Sequence, residues 1–192
     1  FKIASCDIPN IQHIRQIANF KKPIILSTGA STVEEIDRAI YTIFKEDNFQ
    51  LILLACTLNY PTPYHQANFR RIQTLKERYP ELTIGISDHT EPDPNMIAPA
   101  VAVSLGARVI EKHYTLDKRM TGSGHFFAMS PNDLKMMVEN VRITQTMLGE
   151  GNLGVAEGEE KAWKSARRSI VADIFIPKGT IIKSDMLGFK RP

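Results

Sequence analysis

Cysteine is scarce in this chain: Cys6 and Cys56 are the only two. A disulfide scaffold needs more, and the pair lacks Cys-x-x-Cys spacing. Both read as reduced thiols of a cytoplasmic protein. Long apolar runs are also missing, and no stretch approaches membrane-spanning length. The opening "FKIASCDIPN" has no basic start followed by a long apolar stretch, so it does not read as a secretory signal. Charge of one sign is lacking too: 24 Lys and Arg face 21 Asp and Glu, for a net +3. The basic residues are scattered and are not interleaved with aromatics, so nothing argues for nucleic acid. Weak positive charge near a pocket would still favour an anionic substrate. No Gly-x-Gly-x-x-Gly follows a strand, which weakens a dinucleotide-binding reading.

What the chain does have is alternation. Strand-like apolar runs occur at 1–4, 23–26, 51–55, 83–86 and 107–110. Helical periodicity fills the gaps: Ile11 to Phe20, Ile36 to Ile43 behind overlapping capping boxes at Ser31 to Glu35, Phe69 to Leu75, Ile97 to Leu105, and Leu134 to Met147 behind Ser130-Pro131. Strand then helix without hairpin signals means βα units and a parallel sheet. Two architectures remain, a doubly wound sheet and a (β/α)8 barrel. Each strand run is followed by polar residues, and a barrel collects such residues at its C-terminal rim. Five units are too few to close a barrel, and the chain starts directly on a strand. The expectation is that further strands precede Phe1. After Met147 the texture turns rich in Gly and charge, as in a linker. Two short β-like runs around Pro177-Lys178-Gly179-Thr180 then suggest the opening of a second domain, with Ser184-Asp185 able to cap a helical turn.

The stretch "TIGISDHTEPD" concentrates the chemistry. His89 and His113 each follow an apolar strand in successive βα units, so both belong on one rim, on neighbouring strands. Two neutral imidazoles there suit a divalent metal with open positions. The alternative is one metal-free general base and one core histidine. Asp88, a candidate catalytic carboxylate, could orient His89 or steady a metal-bound water, or serve as a helix N-cap or turn residue. Alternation sends Glu111 and His113 to one side and Lys112 to the other, making Glu111 a candidate inward acid or a salt-bridge partner. Lys2, Ser5, Ser27, Thr28, Asn59 and Ser87 offer the donors that a phosphate or carboxylate needs. Tyr60 opens the rigid "YPTPY" loop. His125, among glycines in "GSGHFF", lies on a loop able to cover a site.

Taken in order, "KIAS", "KPIILSTG", "YPTPY", "GISDHT", "GARVIEKHYTLD" and "RRSIVA…KGT…KRP" resemble the sialic acid synthase family over essentially the whole chain. The resemblance implies a (β/α)8 TIM-barrel fold with about strands four to eight present. A small antifreeze-like (SAF) domain would follow. On that basis residues 1–148 are a partial barrel, 149–168 a linker and 169–192 the start of the SAF domain. It implies condensation of phosphoenolpyruvate with an N-acetylated amino sugar, releasing phosphate. It implies Mn2+ on His89 and His113, to polarise the sugar aldehyde. Lys2, Ser5, Ser27, Tyr60 and Ser87 match phosphoenolpyruvate-binding positions, and Asn59 lies at or beside another. Asp7 stands where the family has a longer glutamate that meets the sugar. Arg191 matches an arginine that reaches the neighbouring subunit's site, implying a domain-swapped homodimer. The family loop "PGPDH" reads Thr121 to His125 here. With the first three strands absent, the chain alone is expected to be weakly active or inactive. Another phosphoenolpyruvate-dependent barrel aldolase and a non-catalytic assembly fragment are the alternatives.

Overall fold

Most of the helices start where the sequence supplies acceptors for their free N–H groups. A computed structural model describes residues 1–191. Helix α1 (Ile11–Ala18) is capped by the Asn10 side chain, which accepts from His13 N. Thr32 and Glu35 form a reciprocal capping box on α2 (Val33–Lys45). Ser130 and Asp133 do the same for α5 (Pro131–Leu148), with Pro131 in the first turn. Between them lie α3 (Arg71–Arg78) and α4 (Ile97–Ser104), the latter opened by the Asp93 carboxylate accepting from Asn95 N and Ile97 N.

The strands are β1 (Lys2–Ile3), β2 (Ile24–Ser27), β3 (Leu51–Cys56), β4 (Thr83–Asp88) and β5 (Ile110–Lys112). They form one parallel sheet in the order β1-β2-β3-β4-β5. With every connection stepping the same way, right-handed crossovers put all the helices on one face. The core shows this: Ile3, Leu26, Leu53, Ala55, Ile84 and Ile86 pack with Ile14, Ile17, Ile36, Ile40, Ile43, Ile72, Leu75 and Ala102 of the helices. A doubly wound sheet would carry helices on both faces. The sheet is therefore a five-stranded portion of a barrel, with its helices outside.

Register and alternation define the other face. Lys2 pairs with Ile25, Ser27 with Leu54, Cys56 with Ser87, and Ser87 with Glu111. Partners in a ladder point the same way, as do residues two apart. Lys2, Ser27, Cys56, Ser87 and Glu111 thus share the inner face, at the carboxyl ends of their strands. Gly85 is also on that face, and only glycine fits: a Cβ there would lie 2.4 Å from Val109 O and 2.6 Å from Leu54 Cδ2.

Two boundaries differ most from the sequence reading. Strand β4 does not stop at Ile86, because its ladder continues through Cys56–Ser87 and Asp88–Lys112. Strand β5 spans Ile110–Lys112 rather than 107–110. Its approach is still tied to β4 by Arg108 N donating to Ile84 O at 2.9 Å and Ile86 N to Val109 O at 2.8 Å.

The chain divides after Gly149 into two compact units. The second, from Glu150 onward, holds α6 (Glu160–Ser165) within the glycine- and charge-rich stretch. Its β6 (Ser169–Ala172) and β7 (Leu187–Lys190) pair antiparallel. The second β-like run, expected just beyond Pro177-Lys178-Gly179-Thr180, is not a strand. Thr180 N closes a turn on Pro177 O, and the partner of β6 lies further on, behind a 3-10 turn at Ser184–Met186. Pro192, the last residue of the "KRP" motif, lies outside the described residues.

Candidate active site

His89 and His113 come together at the rim. Their ring centroids are 5.4 Å apart, with an interplanar angle of 80°. Tyr60 lies across both, with ring centroids 4.2 Å from His89 and 5.7 Å from His113. Phe127 packs against His113 with ring centroids 4.8 Å apart, and lies 6.1 Å from Tyr60. The loop carrying Gly122 to His125 passes the same ring. Gly124 adopts φ +101°, and a Cβ on it would sit 3.1 Å from His113 Nδ1. His125 is held by its Nδ1, 2.7 Å from Thr115 Oγ1.

Each imidazole has a defined electrostatic setting. His89 is buried, and its Nδ1 lies 2.9 Å from Thr57 O. A carbonyl only accepts, so Nδ1 carries the proton and Nε2 keeps a lone pair. Burial pushes the His89 pKa down, but hydrogen bonding to Cys56 and Thr57 outweighs it and leaves the ring above its ordinary 6.5. Burial, and after it the neighbouring His89, hold His113 below that value. A ring that stays neutral and a lone pair oriented from behind suit metal ligation. Among the described residues neither the His113 ring nor His89 Nε2 has a hydrogen-bond partner, and no third His, Cys, Asp or Glu completes a cluster. The donor set therefore fits a two-imidazole site with open positions.

Beside the histidines is a floor of hydroxyls and one thiol. Ser5 Oγ accepts from Gly29 N at 2.9 Å. A Cβ at Gly29 would meet Ser5 Oγ at 2.9 Å and Cys56 Sγ at 3.0 Å. Cys56 Sγ lies 3.8 Å from His89 Nδ1. Burial raises the thiol's pKa, yet hydrogen bonding to His89 and Ser5 more than offsets this and holds it below its ordinary value. Ser87 Oγ donates to Glu111 Oε1 at 2.7 Å, and Lys2 Nζ stands 3.4 Å from the same oxygen. Ser27 Oγ is buried without a partner among the described residues. A buried hydroxyl left free is costly in a folded protein and marks a place for a ligand or water.

A scan against protein families matches the NeuB family over residues 1–153. The chain belongs to the NeuB family. It is 39% identical to N,N'-diacetyllegionaminic acid synthase of Campylobacter jejuni, aligning over all of this chain and 57% of that protein. It is 32% identical to N-acetylneuraminate-9-phosphate synthase of Homo sapiens, over 99% of this chain and 52% of that one. The crystal structure of N-acetylneuraminic acid (sialic acid) synthetase from Leptospira borgpetersenii superposes with a TM-score of 0.78 at 36% identity. That match covers 85% of this chain and 55% of the other. The NeuB-family chain thus spans a little over half the length of these relatives.

Not every expected site residue of this NeuB-family chain joins the histidines. Asp88 requires a correction. It does not orient His89, whose Nδ1 faces Thr57 O. Alternation turns Asp88 to the helix side, where Oδ2 accepts from Lys112 Nζ at 2.8 Å and Oδ1 from Thr90 N at 2.8 Å. Asn59 is exposed and bonds Gln66 Oε1 at 3.2 Å. Asp7 is half-buried at the end of the 3-10 turn that begins with Ser5. Arg191 belongs to the second unit, where its Nε donates to Ala166 O at 2.8 Å. Cys56 and Phe127 were missed as site residues. Cys56 enters through the β3–β4 register, and Phe127 through the fold of the loop after His125. Neither signal is local in the sequence.

Proposed function

We propose that this chain carries the catalytic rim of a nonulosonic acid synthase, which condenses phosphoenolpyruvate with an N-acetylated amino sugar resembling N-acetylmannosamine and releases phosphate. The observation carrying this reading is that the histidine pair shares one inner face with Lys2, Ser5 and Ser87, where Glu111 meets both Ser87 and Lys2 and Cys56 lies against His89. The names of the relatives agree with it.

In this reading Lys2 supplies point charge, and the hydroxyls of Ser5, Ser27 and Ser87 supply donors to the phosphate and carboxylate of phosphoenolpyruvate. The buried Ser27 Oγ, without a protein partner among the described residues, is free to donate. Tyr60 shields the histidines from solvent, and Asn59 lies at the edge of this group. Asp7 and the Gly122–His125 loop face the sugar. His89 and His113 would hold Mn2+, which when bound polarises the sugar aldehyde as a Lewis acid. The second unit is the opening of an SAF domain whose Arg191 serves a neighbouring subunit in a homodimer.

The test measures phosphoenolpyruvate binding and sugar-dependent phosphate release with Mn2+. Binding that Lys2→Ala and Ser87→Ala weaken supports the reading. We expect turnover by the chain alone to be weak or absent. No phosphoenolpyruvate binding, or binding indifferent to both substitutions, contradicts it.

A further inference from the structure

The carboxylate of Glu111 meets two of the donors that the proposed function assigns to the substrate. Ser87 Oγ donates to Glu111 Oε1 at 2.7 Å, and Lys2 Nζ lies 3.4 Å from that same oxygen. The register places Glu111 beside Ser87 across the β4–β5 ladder, on the inner face shared with Lys2. Both charged side chains remain partly open, at 33% for Lys2 and 40% for Glu111, so neither is locked into the pair. Lys2 Nζ has one further partner, Ile3 O at 3.2 Å.

We infer that Glu111 is an internal competitor for the anion site: its carboxylate stands in for the substrate's and must be displaced when phosphoenolpyruvate arrives. The physics is direct. A carboxylate satisfies Lys2 and Ser87 with the same charge-assisted geometry that a substrate carboxylate or phosphate would use. A polyanion entering there must part the pair and bear the repulsion of the freed carboxylate. Paired, Lys2 and Glu111 carry no net charge between them, which avoids an unpaired cation at the rim. It also penalises weakly charged anions, since only a ligand of higher charge attracts Lys2 more strongly than Glu111 does. Glu111 is thereby a specificity-determining residue. This rests on reading Lys2 and Ser87 as anion contacts.

The test is calorimetric titration of phosphoenolpyruvate and of inorganic phosphate into wild type, Glu111→Gln, Glu111→Ala, Lys2→Ala and Ser87→Ala, with folding checked by circular dichroism. Both neutral replacements of Glu111 should bind phosphoenolpyruvate about tenfold more tightly, the scale of removing one unit charge at a partly exposed site. They should also narrow the preference for phosphoenolpyruvate over phosphate. If Lys2→Ala and Ser87→Ala weaken binding while the folded Glu111 variant binds no tighter, the competitor role is wrong and the function reading stands. If binding is absent, or Lys2→Ala and Ser87→Ala leave it unchanged, the function reading fails and takes this inference with it.

Discussion

At the scale of single residues the histidine pair carries most of the information. Their sequence positions, each just beyond an apolar strand, were enough to place them on neighbouring strands of one rim. Their settings were not legible, because the Thr57 carbonyl and Cys56 thiol that act on His89 come from another strand. The two settings predict opposite titrations. His89, raised, stabilises the fold below the ordinary histidine value and loses that contribution as pH rises through its own higher value. His113, lowered, contributes above the ordinary value and loses it as pH falls through its own lower value. Ring resonances of the metal-free protein should therefore titrate on opposite sides of 6.5, His113 below and His89 above. Reversed order would overturn the assignment. Gly124 supplies a second check. Gly124→Ala should disturb the His113 ring signals and weaken metal uptake, since φ of +101° strains any side chain there and its Cβ would press on the ring at 3.1 Å.

At the scale of elements, the strands and helices were readable from periodicity and caps, but the end of β4 was not. Asp88 follows Ser87 in a polar run that looks like loop, and only the ladder to β5 shows it to be strand. Its partner Lys112 makes the point physically. The pair is nearly closed to solvent, with side-chain exposures of 1% and 2%, and lies behind the two histidine-bearing strands. Lys112 Nζ also donates to Thr90 O, so one side chain ties both strand ends. Lys112→Met, which leaves a buried carboxylate unpaired, should cost about 3–5 kcal/mol in urea denaturation. Adding Asp88→Leu should recover only part of this, because Thr90 N and O lose their partners. A Lys112→Met protein as stable as wild type would refute the clamp. Gly85→Ala should destabilise by about 1–3 kcal/mol or more, since the backbone Val109 O cannot move aside as a side chain could. Ser130→Ala should cost only about 1 kcal/mol through the loss of its cap.

At the scale of the whole molecule, periodicity alone left a doubly wound sheet and a barrel, and the polar strand ends with the family resemblance pointed to the barrel. The sequential strand order, with its helices on one face, bears that out. Once the order is sequential, the inner face becomes a rim of Lys2, Ser27, Ser87, Glu111 and the two histidines, with Asp88 and Lys112 sent behind it. The second unit was legible as a change of texture, but its pairing of Ser169–Ala172 with Leu187–Lys190 skips the run nearest its turn. The central claim is that this rim holds one divalent ion between His89 and His113. Calorimetric titration of Mn2+ into the metal-free chain tests it most directly. The account predicts one ion per chain, lost in His89→Ala and in His113→Ala, with both variants still folded. No uptake by the wild-type chain, or uptake that survives both substitutions, would contradict it.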